Sequence, residues 1–319
     1  MSPALFGRAW KVKVTPQATG EEVTLSDSRW GTETLKAEFT VETAANEVWW
    51  FADIAIYNSR IALAQVLQKG DIVTLEAGYE NPGVGLIFKG QLRQPIWERH
   101  GDTDFRLILH CFINLIDEDK QPSIQIVIPA NTSQAEAVRL VCRKAGLPEP
   151  EYLDPVLERK SLSRAEAFHG PAEFFFLQVA IDNGLDMWTS WNGLNIRNLA
   201  PKEGSPPEIV YLPPYQSSAT EGALIKGTLI GTPVQTELGV TFVTLLDHQA
   251  RVGQLIKLEK ALLKQILVGP GQRPPLLAKD GTFVVVGLKH IGDTRGNPWY
   301  TQFCCITPEW AKAFNAKLS

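Results

Sequence analysis

The chain has 319 residues, of which 44% are hydrophobic and 21% are charged. This composition is typical of a folded globular protein and excludes a predominantly disordered chain. Domain-size priors of about 100–150 residues predict two or three domains. The net charge of −4 gives no indication of a basic surface for tight nucleic-acid binding. It is compatible with a surface along which DNA moves without being bound.

The four cysteines, Cys111, Cys142, Cys304 and Cys305, lack the spacing of a disulfide framework. We interpret them as reduced, small apolar residues of a protein made in a cytoplasm, with Cys304 and Cys305 on opposite faces of a strand. The first residues lack a basic segment followed by a long apolar run, so no secretory signal is expected. Apolar runs such as 283–286 are too short to cross a bilayer.

Residues 6 to about 115 contain short segments in which apolar residues alternate with polar ones, the pattern of half-buried strands. These segments are 10–14, 35–41, 49–57, 72–79, 86–92 and 105–111. Turn-forming residues separate them, as at Asn81-Pro82-Gly83. About six or seven strands of this kind favour an antiparallel barrel or sandwich. The sequence therefore predicts an N-terminal β-barrel domain over 1–116.

A small α+β domain is predicted over 117–200. It begins with a strand at 124–128 and a helix whose capping box joins Ser133 and Glu136, each satisfying an orphan amide. Gly146 should end this helix, and a second helix should begin near Pro171 and end at Asn183-Gly184. The Asn192-Gly193 pair predicts a hairpin.

Residues 201–222 are rich in proline and predict an extended linker, in which only 209–212 could form a strand. A C-terminal β-barrel domain with a short terminal helix is predicted over 223–319. Its further strands are expected at 254–258, 282–289 and 299–306, with a helix start at Thr307-Pro308.

The segment Leu229–Leu246 reads as strand, turn and strand. Pro233 belongs at a strand end or edge, because it has no amide donor. In the second strand, the period of two places Val240, Phe242 and Thr244 on one face and Thr241, Val243 and Leu245 on the other. Neither face is strongly polar, so we expect both to be covered.

The fold class predicted from these patterns is mainly β with a small α+β middle region. Two antiparallel, tube-like β-barrel domains flank the mixed domain.

The sequence contains few candidates for catalysis. No His-x-x-x-His or Cys-x-x-Cys spacing, Gly-x-Ser-x-Gly elbow or phosphate-binding glycine loop is present. His100–Asp104 could hold a metal, and Glu98 with Asp102 could form a glycosidase pair, but we interpret both as parts of a solvated hairpin loop. We expect no enzyme activity, no cofactor and no metal.

Several segments resemble one protein family. The hairpin LIGTPVQTELGV (229–240) and the later loop HIGDTRGNPWYT (290–301) resemble the C-terminal barrel of baseplate hub proteins from contractile-tailed bacteriophages. WWFADIAIYN (49–58), KGDIVTLEAGYE (69–80) and IFKGQL (87–92) resemble the N-terminal barrel of the same family. The resemblance covers the first and last thirds of the chain.

The resemblance implies a structural protein of the virion tail baseplate, made in the host bacterial cytoplasm. It implies a homotrimer whose two β modules per chain form a pseudo-sixfold ring. The implied partners are the central spike protein, the tail tube protein or its initiator, and baseplate wedge proteins, while DNA passes through the lumen without specific binding. The alternative is a tail-associated cell-wall-degrading or glycan-binding protein, which turbidity clearing of purified cell walls would detect.

The loop 292–297 is the most distinctive polar segment. One interpretation is a turn in which Asp293 pairs with Arg295 while Gly292 and Gly296 take positive φ. The other, compatible with it, is a contact loop at a subunit boundary. Aromatic anchors concentrate at interfaces and Trp30, Trp97 and Trp299 adjoin charged or turn residues, so these three join Asp293 and Arg295 as interface candidates.

Overall fold

The computed structural model describes residues 6–27, 35–45, 50–59, 65–81, 83–113, 123–200, 207–213, 224–264 and 281–311. Contacts divide the chain into two compact units. The β unit comprises Met1–Thr43, Phe51–Ile113 and Glu203–Thr307, and the mixed unit comprises Ala44–Trp50, Asn114–Lys202 and Pro308–Ser319. Among the residues described, every helix is too short or too polar to serve as a membrane span.

The elements follow one another in chain order. The first group of strands is β1 Phe6–Thr15, β2 Val23–Asp27, β3 Ala37–Ala44, β4 Trp50–Tyr57, β5 Ile72–Asn81, β6 Val84–His100 and β7 Asp104–Ile113. The mixed unit contains β8 Ser123–Ile128, α1 Gln134–Ala145, β9 Tyr152–Leu153, α2 Pro155–Arg159, β10 Glu166–Pro171, α3 Ala172–Asp182, β11 Asp186–Ser190 and β12 Gly193–Arg197. The last group is β13 Ile209–Tyr211, β14 Leu224–Lys226, β15 Leu229–Gln235, β16 Gly239–Leu245, β17 Leu255–Leu258, the 3-10 helix Lys260–Leu262, β18 Thr282–Asp293, β19 Trp299–Ile306 and a helical turn at 308–311.

The predicted strands are confirmed, and their alternation produces the buried core of the β unit. On β1, Trp10, Val12 and Val14 are buried while Lys11 and Lys13 are half-exposed. In the last third of the chain, the rings of Phe242 and Phe303 stack with centroids 4.5 Å apart, and Tyr211 packs on both. Apolar side chains on alternate strand positions therefore pack into one layer.

Both β regions belong to one sheet. Within the described residues, fourteen strands are joined in the order β14-β13-β17-β18-β3-β4-β7-β6-β5-β1-β2, and β19, β16 and β15 branch from β18. The mainly β class with a small mixed region is confirmed. Two separate barrels were expected, but no closed barrel is seen among the described residues. Instead, β18 pairs with β3 and joins the two β regions. Alternation predicts which residues form strands, but it does not specify which strands pair.

The segment Leu229–Leu246 forms the predicted hairpin, with β15 antiparallel to β16. The pairing shifts between Ile230 and Val234, at the position of Pro233, as a residue without an amide donor requires. Val240, Phe242 and Thr244 are buried, whereas Thr241, Val243 and Leu245 are only half-buried. The first face is covered as expected, and the second face is covered only in part.

The mixed unit has its own core, formed by the inner faces of α1 and α3 packed on two small sheets. The Oγ of Ser133 accepts a hydrogen bond from the amide of Glu136, as the capping box predicts. The Glu136 carboxylate, however, pairs with Arg139 and Arg143. Gly146 ends α1 at φ 69°, and the predicted second helix and Asn-Gly hairpin are also present.

Part of the predicted linker is a buried strand. Residues 207–213 are described, and within them β13 is fully buried between β14 and β17, both of which run parallel to it. The remaining linker positions, 201–206 and 214–222, lie outside the described residues.

We predict that Ser133→Ala lowers the free energy of unfolding by about 1 kcal/mol, because the Glu136 amide loses its acceptor. Urea denaturation followed by far-UV circular dichroism measures this change. Ser163→Ala, at an exposed bend in the same unit, is the control and should stay within about 0.5 kcal/mol. Equal effects of the two substitutions would show that the cap contributes nothing.

Candidate functional site

The turn between β18 and β19 is held closed by its own aspartate. The amide of Asp293 donates to the carbonyl of Pro298 at 2.8 Å. Its Oδ1 accepts from the amides of Arg295 at 2.8 Å and Gly296 at 2.7 Å. Aspartate is favoured at such turns, because its short side chain satisfies amides that the turn leaves unpaired.

Arg8 of β1 binds the outside of this turn. Its Nη1 donates to the carbonyl of Asp293 at 2.6 Å and to that of Gly296, and its Nη2 donates to the carbonyl of Asn297 at 3.1 Å. The guanidinium also lies 5.6 Å from the ring centroid of Trp299. A planar guanidinium has enough fixed donors to bind three carbonyls at once. One side chain therefore fastens the first strand to the last hairpin.

Strand β3 binds the other side of the turn. The amide of Thr294 donates to the carbonyl of Ala37, and the amide of Ala37 donates to Thr294 Oγ1, each at 3.0 Å. Lys36 Nζ lies 3.6 Å from Asp293 Oδ2. Partial burial raises the pKa of Asp293, but the amides of Arg295 and Gly296 and the ammonium of Lys36 outweigh it and lower the pKa below its usual value.

Trp299 lies beneath the turn and is only 1% exposed. Its Nε1 donates to the carbonyl of Gly78 at 3.0 Å. Its ring meets Phe39 edge-on, with centroids 5.3 Å apart. Trp299 therefore joins β19 to β3 and β5 inside a single chain.

The two glycines of the turn are required for close packing. Neither Gly292 nor Gly296 has a positive φ, so that expectation is wrong. A Cβ at Gly292 would lie 2.2 Å from the Phe39 ring, and one at Gly296 would lie 2.2 Å from Asp293 Oδ2. The expected pairing of Asp293 with Arg295 involves the backbone amide of Arg295, and Lys36 supplies the charge opposite Asp293.

The structure places the five interface candidates in different settings. Asp293, Arg295 and Trp299 belong to one turn, where Arg295 is exposed and Trp299 is buried. Trp97 is half-buried on β6 and stacks on Phe105 with centroids 5.7 Å apart. Trp30 lies outside the described residues. The role of these residues in contacts between chains stays a prediction.

Sequence reasoning missed the three residues that receive the turn, namely Arg8, Lys36 and Phe39. Arg8 is separated from the carbonyls that it binds by at least 285 positions. No local pattern predicts contacts between residues so far apart in the chain. They occur where strands from the two ends of the chain come together, as β3 and β18 do.

A second, buried polar cluster includes His290 of β18 and Thr301 of β19. Asp247 accepts hydrogen bonds from Lys226 Nζ at 2.6 Å and from the Tyr211 hydroxyl at 2.7 Å. Burial raises the pKa of Asp247, but its ion pair with Lys226 and its hydrogen bonds from Lys226 and Tyr211 outweigh burial and lower it. The amide of Asp247 donates to Thr301 Oγ1, which also lies 2.9 Å from His290 Nδ1. A fully paired buried charge fixes its neighbours in one arrangement.

His290 is fully buried, and burial lowers its pKa to about 4. Asp247 opposes this shift, whereas Arg251 and His248 add to it. The imidazole is therefore neutral at pH 7.

The residues considered for hydrolysis or metal binding lie in the β6–β7 hairpin. Glu98 is opposite Arg106 and forms an ion pair with it. Across the described ranges, no group of three or more histidine, cysteine, aspartate or glutamate residues is arranged to hold a metal ion. The four cysteines are free, with Cys304 exposed and Cys305 buried, as expected for opposite faces of a strand.

No protein-family model matches the chain, and no curated protein matches it in sequence. Solved structures do match its fold. A tail protein of Neisseria meningitidis MC58 has a TM-score of 0.60 at 10% identity, over 96% of this chain and 98% of that one. The 43 kDa tail protein of prophage MuSo2 from Shewanella oneidensis has a TM-score of 0.52 at 10% identity, over 96% and 98% of the two chains.

A third structure is the c3393 protein of E. coli, described as a component of the type VI secretion system with structural similarity to the T4 bacteriophage tail proteins gp27 and gp5. It has a TM-score of 0.54 at 9% identity, over 93% of this chain and 76% of that one. The chain therefore has the fold of phage tail proteins. More particularly, its expected resemblance to baseplate hub proteins is confirmed at the level of the fold.

We predict that Arg8→Ala lowers the free energy of unfolding by about 2 kcal/mol, because three carbonyls lose a charged donor. Arg8→Lys should cost about 1 kcal/mol, since one ammonium cannot reproduce the planar fork. Urea denaturation followed by tryptophan fluorescence tests both variants. The control is Lys89→Ala, at an exposed position of β6. If Arg8→Ala is as stable as this control, the hydrogen bonds of Arg8 to the turn, which we call the clamp, do not contribute to stability.

We also predict that stability falls as the pH decreases from 6.5 towards 4. The unfolded chain binds a proton on His290 near pH 6.5, whereas the folded chain does so only at about 4. The contribution of neutral His290 to the free energy of unfolding is therefore fully present above pH 6.5. It is lost progressively between pH 6.5 and pH 4, by up to about 3 kcal/mol.

Unfolding titrations across this pH range test the prediction. His290→Asn should flatten the dependence, leaving a smaller slope from His248, whose pKa burial also lowers. His169→Asn, at an exposed position of β10, should leave it unchanged. An unchanged slope in His290→Asn would contradict the assignment.

Proposed function

We propose that this chain is a structural baseplate hub protein of a phage contractile tail. Three copies form a pseudo-sixfold ring that joins the tail tube to the central spike and lets DNA pass. The observation that carries the proposal is that nearly the whole chain, 96% of it, follows the fold of a tail protein over 98% of that protein's length. Its location would be the baseplate of the virion tail.

Open sheet borders support self-assembly. The strand order ends at β2 on one side and at β14 on the other. Each of these two terminal strands pairs with a single strand among the described residues. Val23 on β2 is 43% exposed and Leu224 on β14 is 51% exposed. Unpaired strand edges with apolar side chains favour pairing with another chain. Contacts between two different edges close into a ring when the rotation between copies allows it.

The charge of the chain suits a channel for DNA. A net charge of −4 gives little attraction for phosphates, so DNA would pass without being held. The partners we infer are a central spike protein, a tube protein or tube initiator, and baseplate wedge proteins.

The alternative function is a cell-wall-degrading or glycan-binding protein of the tail. Glu98 forms a cross-strand ion pair with Arg106, and this contact accounts for its place in the hairpin without a catalytic role. Clearing of purified cell walls by the chain would favour the alternative, and the absence of clearing is expected.

We predict that the chain sediments as a trimer of its 35.3 kDa protomer, either alone or as a larger complex that contains three copies together with the spike protein. Val23→Lys with Leu224→Lys should shift it to the monomer, because charged residues at strand edges prevent pairing. Analytical ultracentrifugation at micromolar concentrations measures both results. The control is Val127→Lys, at an exposed position of β8 outside the β unit. A monomeric wild-type chain with and without the spike would refute the trimer.

A further inference from the structure

Helix α3 of the mixed unit is apolar on both of its faces. Its inner face, which includes Phe175, Phe176 and Val179, is buried in the core of the unit. Its outer face contains Phe174, Leu177 and Ile181, at the spacing i, i+3 and i+7 that aligns side chains along a helix. A helix that is apolar all round is normally covered on both faces.

Two side chains of the outer face are exposed, and no described element of the mixed unit buries them. Phe174 is 62% exposed and Leu177 is 42% exposed, and Ile181 is half-buried beside them. Two such side chains on neighbouring helical turns form a contiguous apolar surface. Surfaces of this kind mark places where another molecule binds.

The charge of the helix restricts what can bind there. Its eleven residues include Glu173 and Asp182 but no lysine or arginine. Asp182 is exposed at the C-terminal end of the helix, where the helix dipole is already negative. Its Oδ1 accepts a hydrogen bond from Gln178 Nε2 of the same helix at 2.6 Å. This end of the outer face therefore attracts a cation.

We propose that the outer face of α3 is a docking surface for a different protein of the same assembly, one that offers an apolar groove with lysine or arginine at its rim. Phe174, Leu177 and Ile181 fill the groove, in the manner of helix-in-groove recognition. The basic rim residue pairs with Asp182. The proposal goes beyond the trimeric ring, because it concerns the mixed unit and a partner other than this chain.

Charge excludes the two other obvious occupants. A second copy would bring an identical acidic helix, so an antiparallel pair would place Asp182 near Glu173 and a parallel pair would place each acid near itself. An anionic membrane surface would repel the same acids. An apolar groove with a basic rim is the complement of the face in both shape and charge.

Cysteine labelling of assembled tails tests the proposal. Leu177→Cys and the control Val127→Cys, each at an exposed position of the mixed unit, are treated with maleimide as the free chain and in assembled tails. Labelling is quantified for each peptide by mass spectrometry, with Cys304 as a separate peptide. We expect labelling at position 177 to fall about tenfold or more on assembly, with position 127 less affected. Equal labelling at position 177 in both states would overturn the proposal.

Cross-linking from position 177, with isotope-labelled and unlabelled chains mixed, distinguishes the occupants. A cross-link to a different tail protein, beside lysine or arginine, supports the proposal, and a cross-link between two copies of this chain overturns it. Phe174→Ala should reduce incorporation into tails about tenfold. Asp182→Lys should reduce it several-fold while Asp102→Lys, at the exposed β6–β7 turn, does not. Normal incorporation of both α3 variants would also overturn the proposal.

Discussion

One arginine connects the first strand of the β unit to its last hairpin. Arg8 on the first strand donates to three carbonyls of the turn between the last two long strands, and β3 binds the same turn from its other side. These contacts join segments at opposite ends of the chain. They accompany the pairing of β18 with β3, through which the two β regions form one sheet. The polar character of the turn is thus first a requirement of folding within one chain.

Two glycines and one aspartate determine the conformation of the turn. Gly292 admits the ring of Phe39, and Gly296 admits the carboxylate of Asp293, which in turn binds two amides of the loop. Below it, Asp247 is paired with Lys226 and Tyr211, and His290 stays neutral against Thr301. Both groups of contacts include residues of β18 or β19 and the turn between them, so they restrain the same hairpin.

If the chain acts as a hub, its two units have separate tasks. The β unit has unpaired sheet borders that suit contact between copies, whereas the mixed unit has an apolar helix face that suits a different partner. The first type of contact uses backbone groups and the second uses side chains of an isolated helix. A protein that both closes into a ring and binds other components needs two such surfaces of different chemistry.

Local sequence patterns located most of the long strands and both long helices, although β2, β9, β10, β14 and α2 were not predicted. The period of two in β1 and β16, the Ser133 cap, Gly146 and the Asn192-Gly193 turn all act through neighbours in the chain, so local patterns were sufficient. Leu229–Leu246 and 290–301 also indicated the fold by resemblance. Three outcomes could be read only from the folded chain: the strands join in one sheet, Arg8 and Lys36 bind the turn, and Trp299 is buried. Those outcomes depend on which strand edges meet across hundreds of residues, and alternation leaves the choice of partner open because every strand edge offers the same backbone groups.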